Sequence, residues 1–227
     1  VVGEEYTIKG MLKDKATGLP FVDMDGNTVT GETTFTAETK DQIVNVEFNF
    51  KANLEGLSVV VAERLYQQGV EIFVHDDLED KDQTIDYLKL RTKAHDKDTL
   101  TNVGTVSDKA SIVDEVTFNN LRVGNTYEVR GYLMNKDTGF ELLDKDGSRI
   151  TATKTFTAQA ADQTVEMEFI LDSSLLEGVT VTVFEDVYYN GVRVGSHCDI
   201  ADADQSIFYP KIRTSAADGN TNSHVGV

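Results

Sequence analysis

The chain has 227 residues, a length that fits one or two domains. Its 40% hydrophobic and 26% charged residues are typical of a globular protein, and no apolar run is long enough for a membrane-spanning helix. The formal net charge of −18 disfavours a nucleic acid as partner, because binding to phosphates needs a basic surface, and the single Cys198 excludes an internal disulfide.

Two copies of one pattern follow each other along the chain. The segment Thr34–Ala37 (Thr-Phe-Thr-Ala) recurs as Thr155–Ala158, an offset of 121 residues. Leu54–Gly56 (Leu-Glu-Gly) recurs as Leu176–Gly178, an offset of 122, so one residue has been inserted between the two motifs. A period of this length is too long for a solenoid repeat and indicates tandem domains.

The repeat divides the chain into three predicted segments. Residues 1–88, called repeat 1 below, match a domain that lacks its N-terminal strand segment. Residues 89–210, called repeat 2, are predicted to be a complete domain. Residues 211–227, called the tail, begin a further copy, either as the start of another repeat or as a segment that donates a strand.

Both repeats have the pattern of β-structure. Short runs rich in Val, Ile, Thr, Phe and Tyr alternate with turn signals such as Asp25-Gly26 and Asp146-Gly147, and no helical period is present. The predicted class is all-β, with tandem immunoglobulin-like β-sandwich domains. The Asp-rich turns leave a calcium site as an alternative, but the remaining ligand positions of a calcium loop are missing, so we expect no cofactor and no metal.

Strand alternation places four polar side chains on apolar faces of repeat 2. These are Thr92, Asp114, Glu185 and Gln205, each of which shares its parity with apolar neighbours. A buried carboxylate is expensive unless it is protonated, paired or hydrogen-bonded, and two acids in one core can share a proton. His197 falls with Arg193 on the less apolar face, although parity next to a glycine is unreliable.

Several motifs around these residues resemble one known family. They are Val183-Phe-Glu-Asp186 and Val61-Ala-Glu63, followed in the chain by Tyr-x-x-Gly, His-x-Asp, Asp-Gln-Ser/Thr and Pro-Lys-Ile-x-Thr. The combined set is similar to the Thr–Gln ester-bond domain (VaFE-repeat) family of Gram-positive bacterial surface adhesins.

The resemblance implies a structural stalk module that cross-links itself. Thr92 and Gln205 match the cross-linked pair, whose ester forms once with release of ammonia and adds mechanical and proteolytic stability. His197, Asp114 and Glu185 match the catalytic residues. The resemblance therefore implies a single-turnover autocatalytic reaction and not an enzyme.

The resemblance also covers repeat 1 and the tail. Gln83, His75 and Glu63 are the repeat 1 equivalents of Gln205, His197 and Glu185. Residues 1–88 contain no counterpart of Thr92, so Gln83 has no partner for an ester in cis. Thr214 is a spare nucleophile on the tail, so strand complementation in trans through residues 211–227 is one hypothesis.

The same resemblance implies an extracellular, cell-wall-anchored surface protein, although residues 1–227 contain neither a signal peptide nor a sorting motif. The expected partners are neighbouring repeats of the same shaft. We expect no nucleic acid and no membrane among the partners.

Three other interpretations stay open. A Lys–Asn isopeptide domain would use an inward lysine, for which Lys9 and Lys154 are the candidates, but the last strand offers no suitable Asn. A plain tandem β-sandwich module would bind a ligand through its loops, and the acidic loops that begin at Asp77 and Asp199 would then be calcium sites. A conventional hydrolase would need a cleft open to water.

Overall fold

A computed structural model of the protein describes residues 1–225, so the last two residues of the predicted tail lie outside the described residues. The described residues form thirteen β-strands and no helix, and hence no helix that could cross a membrane. The predicted all-β class is confirmed.

Five strands lie in repeat 1: β1 (Glu5–Asp14), β2 (Thr30–Thr36), β3 (Ser58–Gln67), β4 (Val70–His75) and β5 (Thr84–Asp86). Eight lie in repeat 2: β6 (Lys89–Asp96), β7 (Ala110–Asn119), β8 (Thr126–Asn135), β9 (Thr151–Thr157), β10 (Gln163–Leu171), β11 (Thr180–Tyr189), β12 (Val192–His197) and β13 (Ser206–Phe208).

The chain divides into two compact units. One comprises Val1–Lys89 with the short stretches Phe118–Asn125 and Ala158–Gln163, and the other comprises the remaining described residues. The first unit holds an antiparallel sheet in the order β2-β1-β3-β4, with β5 paired to β3.

Repeat 2 contains two sheets. The first has the order β12-β11-β8-β9 with β13 paired to β11, and the second has the order β10-β7-β6. Strand β7 is a half-buried strand, since its burial alternates strictly from Ala110 to Asn119. Every second residue from Ala110 is inside, and all of these are apolar except Asp114.

The two sheets of repeat 2 pack face to face at short range. A Cβ placed on Gly131 of β8 would come within 2.5 Å of the ring of Phe169 on β10. A Cβ on Gly195 of β12 would come within 2.6 Å of Leu90 on β6. Both glycines therefore allow a close approach that a side chain would prevent. Because β8 and β12 lie on either side of β11, these two close contacts enclose the inner face of β11, on which Glu185 lies.

Repeat 1 differs from repeat 2 in the part that corresponds to the β10-β7-β6 sheet. Residues 42–50 match β10, but they form no strand, and the described part of repeat 1 has no counterpart of β6 and β7. A small core still forms around Leu12, Phe21, Val29 and Val59. Ile85 of β5 is 48% exposed, whereas its counterpart Ile207 in β13 is fully buried.

Candidate functional site

Two carboxyl groups meet in the core of repeat 2. Asp114 of β7 and Glu185 of β11 are both fully buried, and Asp114 Oδ2 and both carboxyl oxygens of Glu185 have no hydrogen-bond partner. Burial raises the pKa of Asp114, and burial together with the neighbouring Asp114 charge raises the pKa of Glu185 well above its usual value. Because the pKa of both carboxyls is raised, the pair holds a proton between them.

The amide of Gln205 is anchored on this acid pair. Its Nε2 donates to Asp114 Oδ1 over 3.1 Å, and the side chain is fully buried just before β13. The amide oxygen Oε1 is buried without a hydrogen-bond partner. A buried carbonyl oxygen that accepts no hydrogen bond is energetically costly, so the unreacted amide is unfavourable at this position.

Thr92 lies on β6, the strand next to the segment that carries Gln205. The backbone N–H of Ala94 donates to the Asp204 carbonyl over 2.9 Å, which fixes β6 beside the residue that precedes Gln205. Thr92 shares the buried face of β6 with Leu90 and Ala94, and its Oγ1 is buried without a hydrogen-bond partner. The structure thus places a buried hydroxyl with no hydrogen bond on the strand beside a buried amide.

His197 lies on the inner face, contrary to its predicted parity with Arg193. In the ladder between β11 and β12, Gly195 pairs with Val187 and Arg193 pairs with Tyr188, so Val194 is an extra residue that forms a β-bulge. The bulge reverses the alternation, and His197 pairs with the buried Glu185. The prediction was wrong because parity does not survive an inserted residue.

Asp202 orients the His197 ring and was not identified as a site residue from the sequence. His197 Nε2 lies 2.8 Å from Asp202 Oδ2, and Asp202 Oδ1 accepts the backbone N–H of Asp204 over 2.8 Å. This contact leaves the other ring nitrogen, Nδ1, for proton transfer. The signal was present in the sequence, since an aspartate follows the histidine by five residues in both repeats.

Lys136 at the end of β8 holds the loop between His197 and Gln205. Its ammonium donates to Ser206 Oγ over 2.8 Å and to the carbonyl of Ala201 over 3.2 Å. Ser206 Oγ in turn donates to the carbonyl of Asp202. The lysine therefore ties together the residues on either side of the site. Its signal in the sequence was its recurrence, since Lys15 holds the same position in repeat 1.

Repeat 1 reproduces part of this arrangement. His75 Nε2 lies 2.9 Å from Asp80 Oδ2, and His75 pairs with Glu63 as His197 pairs with Glu185. Gln83 and Glu63 are only partly buried, in contrast to their counterparts in repeat 2. The cover that β6 and β7 provide over the repeat 2 site has no equivalent among the described residues of repeat 1.

The remaining predicted residues lie outside this site. Thr214 is exposed on the tail. Lys9 and Lys154, the candidate inward lysines, are both exposed, and Lys9 forms an ion pair with Glu32 at 3.2 Å. Lys9 pairs with Glu32 and Arg64, so its prediction as an inward lysine was wrong. Lys154 pairs with the buried Val129, but its side chain is exposed because β9 is the outermost strand of its sheet.

The acidic turns use their carboxylates for local hydrogen bonds. Asp23 Oδ1 accepts the backbone N–H groups of Asp25 and Asn27, and Asp146 Oδ1 accepts that of Ser148. These are the contacts of turns closed by an aspartate side chain.

The fold resembles several solved structures at low identity. A bacterial adhesin from Mobiluncus mulieris that contains intramolecular disulfide, isopeptide and ester bond cross-links is 17% identical, with a TM-score of 0.47, over 56% of this chain and 58% of that one. A glycosyl hydrolase family 2 member from Bacteroides cellulosilyticus DSM 14838 is 8% identical, with a TM-score of 0.37, over 86% of this chain and 26% of that one. Likeness at these TM-scores does not extend to function.

A search of the curated proteins gives no match. The family model described as "T-Q ester bond containing domain" matches the chain twice, at residues 1–87 and 88–209. The two matches together cover most of the 227 residues. The chain therefore belongs to the family of T-Q ester bond containing domains.

Proposed function

We propose that repeat 2 joins Thr92 to Gln205 through an ester bond, which it forms once by its own chemistry. The observation that carries the proposal is a group of buried polar atoms without hydrogen-bond partners: Thr92 Oγ1 and Gln205 Oε1 on neighbouring segments, together with Asp114 Oδ2 and both carboxyl oxygens of Glu185. The ester removes both the hydroxyl donor and the amide N–H donors from the core. The product therefore needs fewer buried hydrogen bonds than the two separate side chains.

The reaction begins at the hydroxyl of Thr92, which is a weak nucleophile and needs a base. His197, held by Asp202 at 2.8 Å, takes the hydroxyl proton while Oγ1 attacks the side-chain carbonyl carbon of Gln205. A C–O bond forms and a tetrahedral intermediate results.

The acid pair acts on the amide of Gln205. Asp114 orients the amide through its contact to Nε2, and the proton held by the acid pair stabilises the charge that develops on the amide during the attack. The C–N bond then breaks, the proton from Thr92 reaches the departing nitrogen through His197, and ammonia leaves. No oxidant or cofactor is consumed.

The closed core keeps the product intact. Gln205, Asp114 and Glu185 have no exposed surface, so water does not reach the ester carbonyl that a hydrolase would cleave. The reaction therefore stops at a stage that corresponds to the acyl-enzyme of a hydrolase, and the protein does not turn over.

The cross-link suits a structural module of a cell-surface adhesin. A covalent link between the first and last strand segments of a domain resists the peeling of edge strands under tension, and it does so without a disulfide in a chain that has one cysteine. We place the protein on this basis in the extracellular shaft of a Gram-positive surface protein anchored to the cell wall, with neighbouring repeats as its partners.

Hydroxylamine treatment tests the chemistry. Purified protein is expected to be lighter than its sequence by one ammonia. Hydroxylamine, applied to the denatured protein, is expected to open the ester to a free Thr92 hydroxyl and a hydroxamate at position 205, so that the product is heavier than the sequence by one oxygen atom. A Thr92→Ala variant is the control and should keep its full sequence mass. An unchanged mass in the untreated protein would refute the proposal, and a link that resists hydroxylamine would indicate an amide instead.

A further inference from the structure

The outer face of the repeat 1 sheet contains a cavity of about 660 Å³, a volume within the usual range of small-molecule sites. It is lined by β1, β2 and β3, by Pro20 in the connection between β1 and β2, and by Asp76 directly after β4. A Cβ on Gly10 of β1 would contact Phe48 of the repeat 1 core, so its neighbours Lys9 and Met11 point to the opposite side of the sheet. The cavity therefore lies on the side of the sheet that does not face the core.

The floor of the cavity is formed by two residues that are smaller than their counterparts in repeat 2. Ala62 of β3 pairs with Met11 of β1. In repeat 2 the same pair of positions holds Phe184 and Tyr132, whose rings pack edge to face with 5.7 Å between their centroids. The same sheet thus accommodates two aromatic rings at this place, and the open space in repeat 1 is not a requirement of the fold.

Ion pairs surround this floor. Three of the seven basic residues of repeat 1 line the cavity, and each has a carboxylate partner. The pairs are Lys9 with Glu32 at 3.2 Å, Lys13 with Asp76 at 2.5 Å and Arg64 with Glu71 at 2.9 Å. The charges are therefore balanced around the cavity.

The ion pairs differ from repeat 2 in the same way as the floor does. Repeat 2 has Met134, Asp186 and Cys198 at the positions of Lys13, Arg64 and Asp76. Repeat 1 therefore combines a floor of smaller side chains with a polar rim, and both features are specific to this copy of the domain.

The balance of charge indicates the kind of ligand that fits. Each ion pair places N–H donors beside carboxylate acceptors, and a hydroxyl group can accept from the first and donate to the second. An anion or a cation would instead be repelled by one member of every pair. The side chains of Lys13 and Asp76 are only 18% and 27% exposed, so this pair is held in place before a ligand arrives.

The floor adds an apolar contact below these polar groups. Met11, Ala62 and Pro20 present carbon atoms to the cavity, and Tyr66 lines its end with the Lys9 ammonium 5.4 Å from the ring centroid. A ring that carries hydroxyl groups at its edge and C–H groups on its face matches this arrangement. Saccharides have this chemistry.

We propose that the cavity of repeat 1 binds a neutral saccharide. One sugar ring lies on Met11 and Ala62, and its hydroxyl groups bridge the Lys13 ammonium and the Asp76 carboxylate. The binding is non-covalent and reversible. Repeat 1 thereby has a role in recognition that is separate from the cross-link of repeat 2.

A glycan array that displays neutral and acidic oligosaccharides tests the proposal, with the full chain multimerised on fluorescent beads. We expect binding to a subset of the neutral glycans. Ala62→Phe introduces the residue that repeat 2 carries at this position, and its ring should abolish binding by filling the cavity. Ala160→Phe is the matched control, because Ala160 is exposed in the turn between β9 and β10, and it should bind like the unchanged chain.

Lys13→Met is a second variant that removes a donor and also copies repeat 2. Calorimetric titration with the saccharide that the array identifies should show an affinity about tenfold lower, as expected for loss of a hydrogen bond to a charged group. Melting temperatures of both variants report whether they fold. Thr92→Ala should bind like the unchanged chain, so failure of the ester and failure of this proposal are recognised separately.

Three results would overturn the proposal. The first is an array on which the unchanged chain binds no glycan, and the second is binding to acidic glycans alone. The third is binding to neutral glycans that persists unchanged in folded Ala62→Phe or in Lys13→Met, which would place the saccharide outside this cavity.

Discussion

The Gln205 side-chain nitrogen donates to Asp114 Oδ1 over 3.1 Å between residues that are 91 positions apart in the chain. This bond joins the segment before β13 to β7, which belongs to the other sheet of repeat 2. It fixes the amide against an acid pair that is sealed from water. The chemistry of the site therefore depends on both sheets of repeat 2 being in place.

Removing the hydroxyl of Thr92 should destabilise the protein. The cross-link would close a loop of 113 residues between Thr92 and Gln205. By analogy with a disulfide, loss of the link costs about 4–5 kcal/mol through the entropy of the unfolded chain. Chemical denaturation of Thr92→Ala against the unchanged chain measures this loss.

Thr214→Ala provides the control for that experiment, because Thr214 has the same Arg-Thr sequence context but is exposed. Its free energy of unfolding should stay within about 0.5 kcal/mol of the unchanged chain. Equal stability of Thr92→Ala and Thr214→Ala would contradict the cross-link.

The acid pair should be essential for the rate of ester formation. Glu185→Ala removes one of the two carboxyls that share the proton, and Asp114→Ala removes the anchor of the Gln205 amide, so each variant should form the ester roughly 10²–10³ times more slowly. The measurement is the fraction of molecules that have lost ammonia, followed by intact mass after expression. Thr92→Ser keeps a hydroxyl and should still react, and an acid variant that reacts as fast as the unchanged chain would refute this role.

The protonated pair also predicts how stability depends on pH in the Thr92→Ala background. Because the folded state raises the pKa of Glu185 through burial and the Asp114 charge, the folded chain binds a proton more tightly than the unfolded chain. The corresponding stability is present in full below the usual carboxyl pKa and is lost as the pH rises through the raised value. The slope is about 1.4 kcal/mol per pH unit for one proton.

Thermal unfolding of Thr92→Ala and of Thr92→Ala with Glu185→Gln, measured between mildly acidic and neutral pH, checks this prediction. The double variant should show a flatter profile, since Gln does not titrate. Two parallel profiles would mean that Glu185 is not the group that holds the proton.

Lys136 should affect the reaction by positioning the loop that carries Asp202. Lys136→Met removes the contacts to Ser206 Oγ and to the Ala201 carbonyl, which allows the loop to shift, and ester formation should slow roughly ten- to a hundredfold. Lys136→Arg should restore part of the rate, because it retains the donors and the charge.

Lys15→Met is the matched control for Lys136→Met. Lys15 donates to Thr84 Oγ1 over 3.2 Å in repeat 1 and makes the same kind of contact away from the repeat 2 site. It should leave the rate of ammonia loss unchanged. To separate an effect on the position of the loop from an effect on stability, the melting temperature of both lysine variants is also measured in the Thr92→Ala background. A Lys136 variant with a lower melting temperature but an unchanged rate of ammonia loss would show a purely structural role.

Much of the site could be predicted from the sequence because strands alternate. Thr92, Asp114, Glu185 and Gln205 fall on apolar faces by counting, and all four are buried in the structure. Counting needs only that each strand is regular.

The rest depends on irregular features that counting does not detect. The bulge at Val194 reverses the face of His197, and the turn after β12 brings Asp202 back to the histidine ring. Lys136 enters the loop from β8, far away in sequence. Lys9 was wrongly predicted to point inward, because a lysine in an alternating strand is compatible with either face of the sheet. Its ion pair with Glu32 shows that it lies on the outer face.

Peptide mapping by tandem mass spectrometry after proteolysis tests the central claim most directly. The account predicts one linked pair of peptides, with Thr92 in one chain and Gln205 in the other, and a combined mass lower by one ammonia. Two separate peptides, one with an unmodified Thr92 and the other with an intact Gln205 amide, would contradict it.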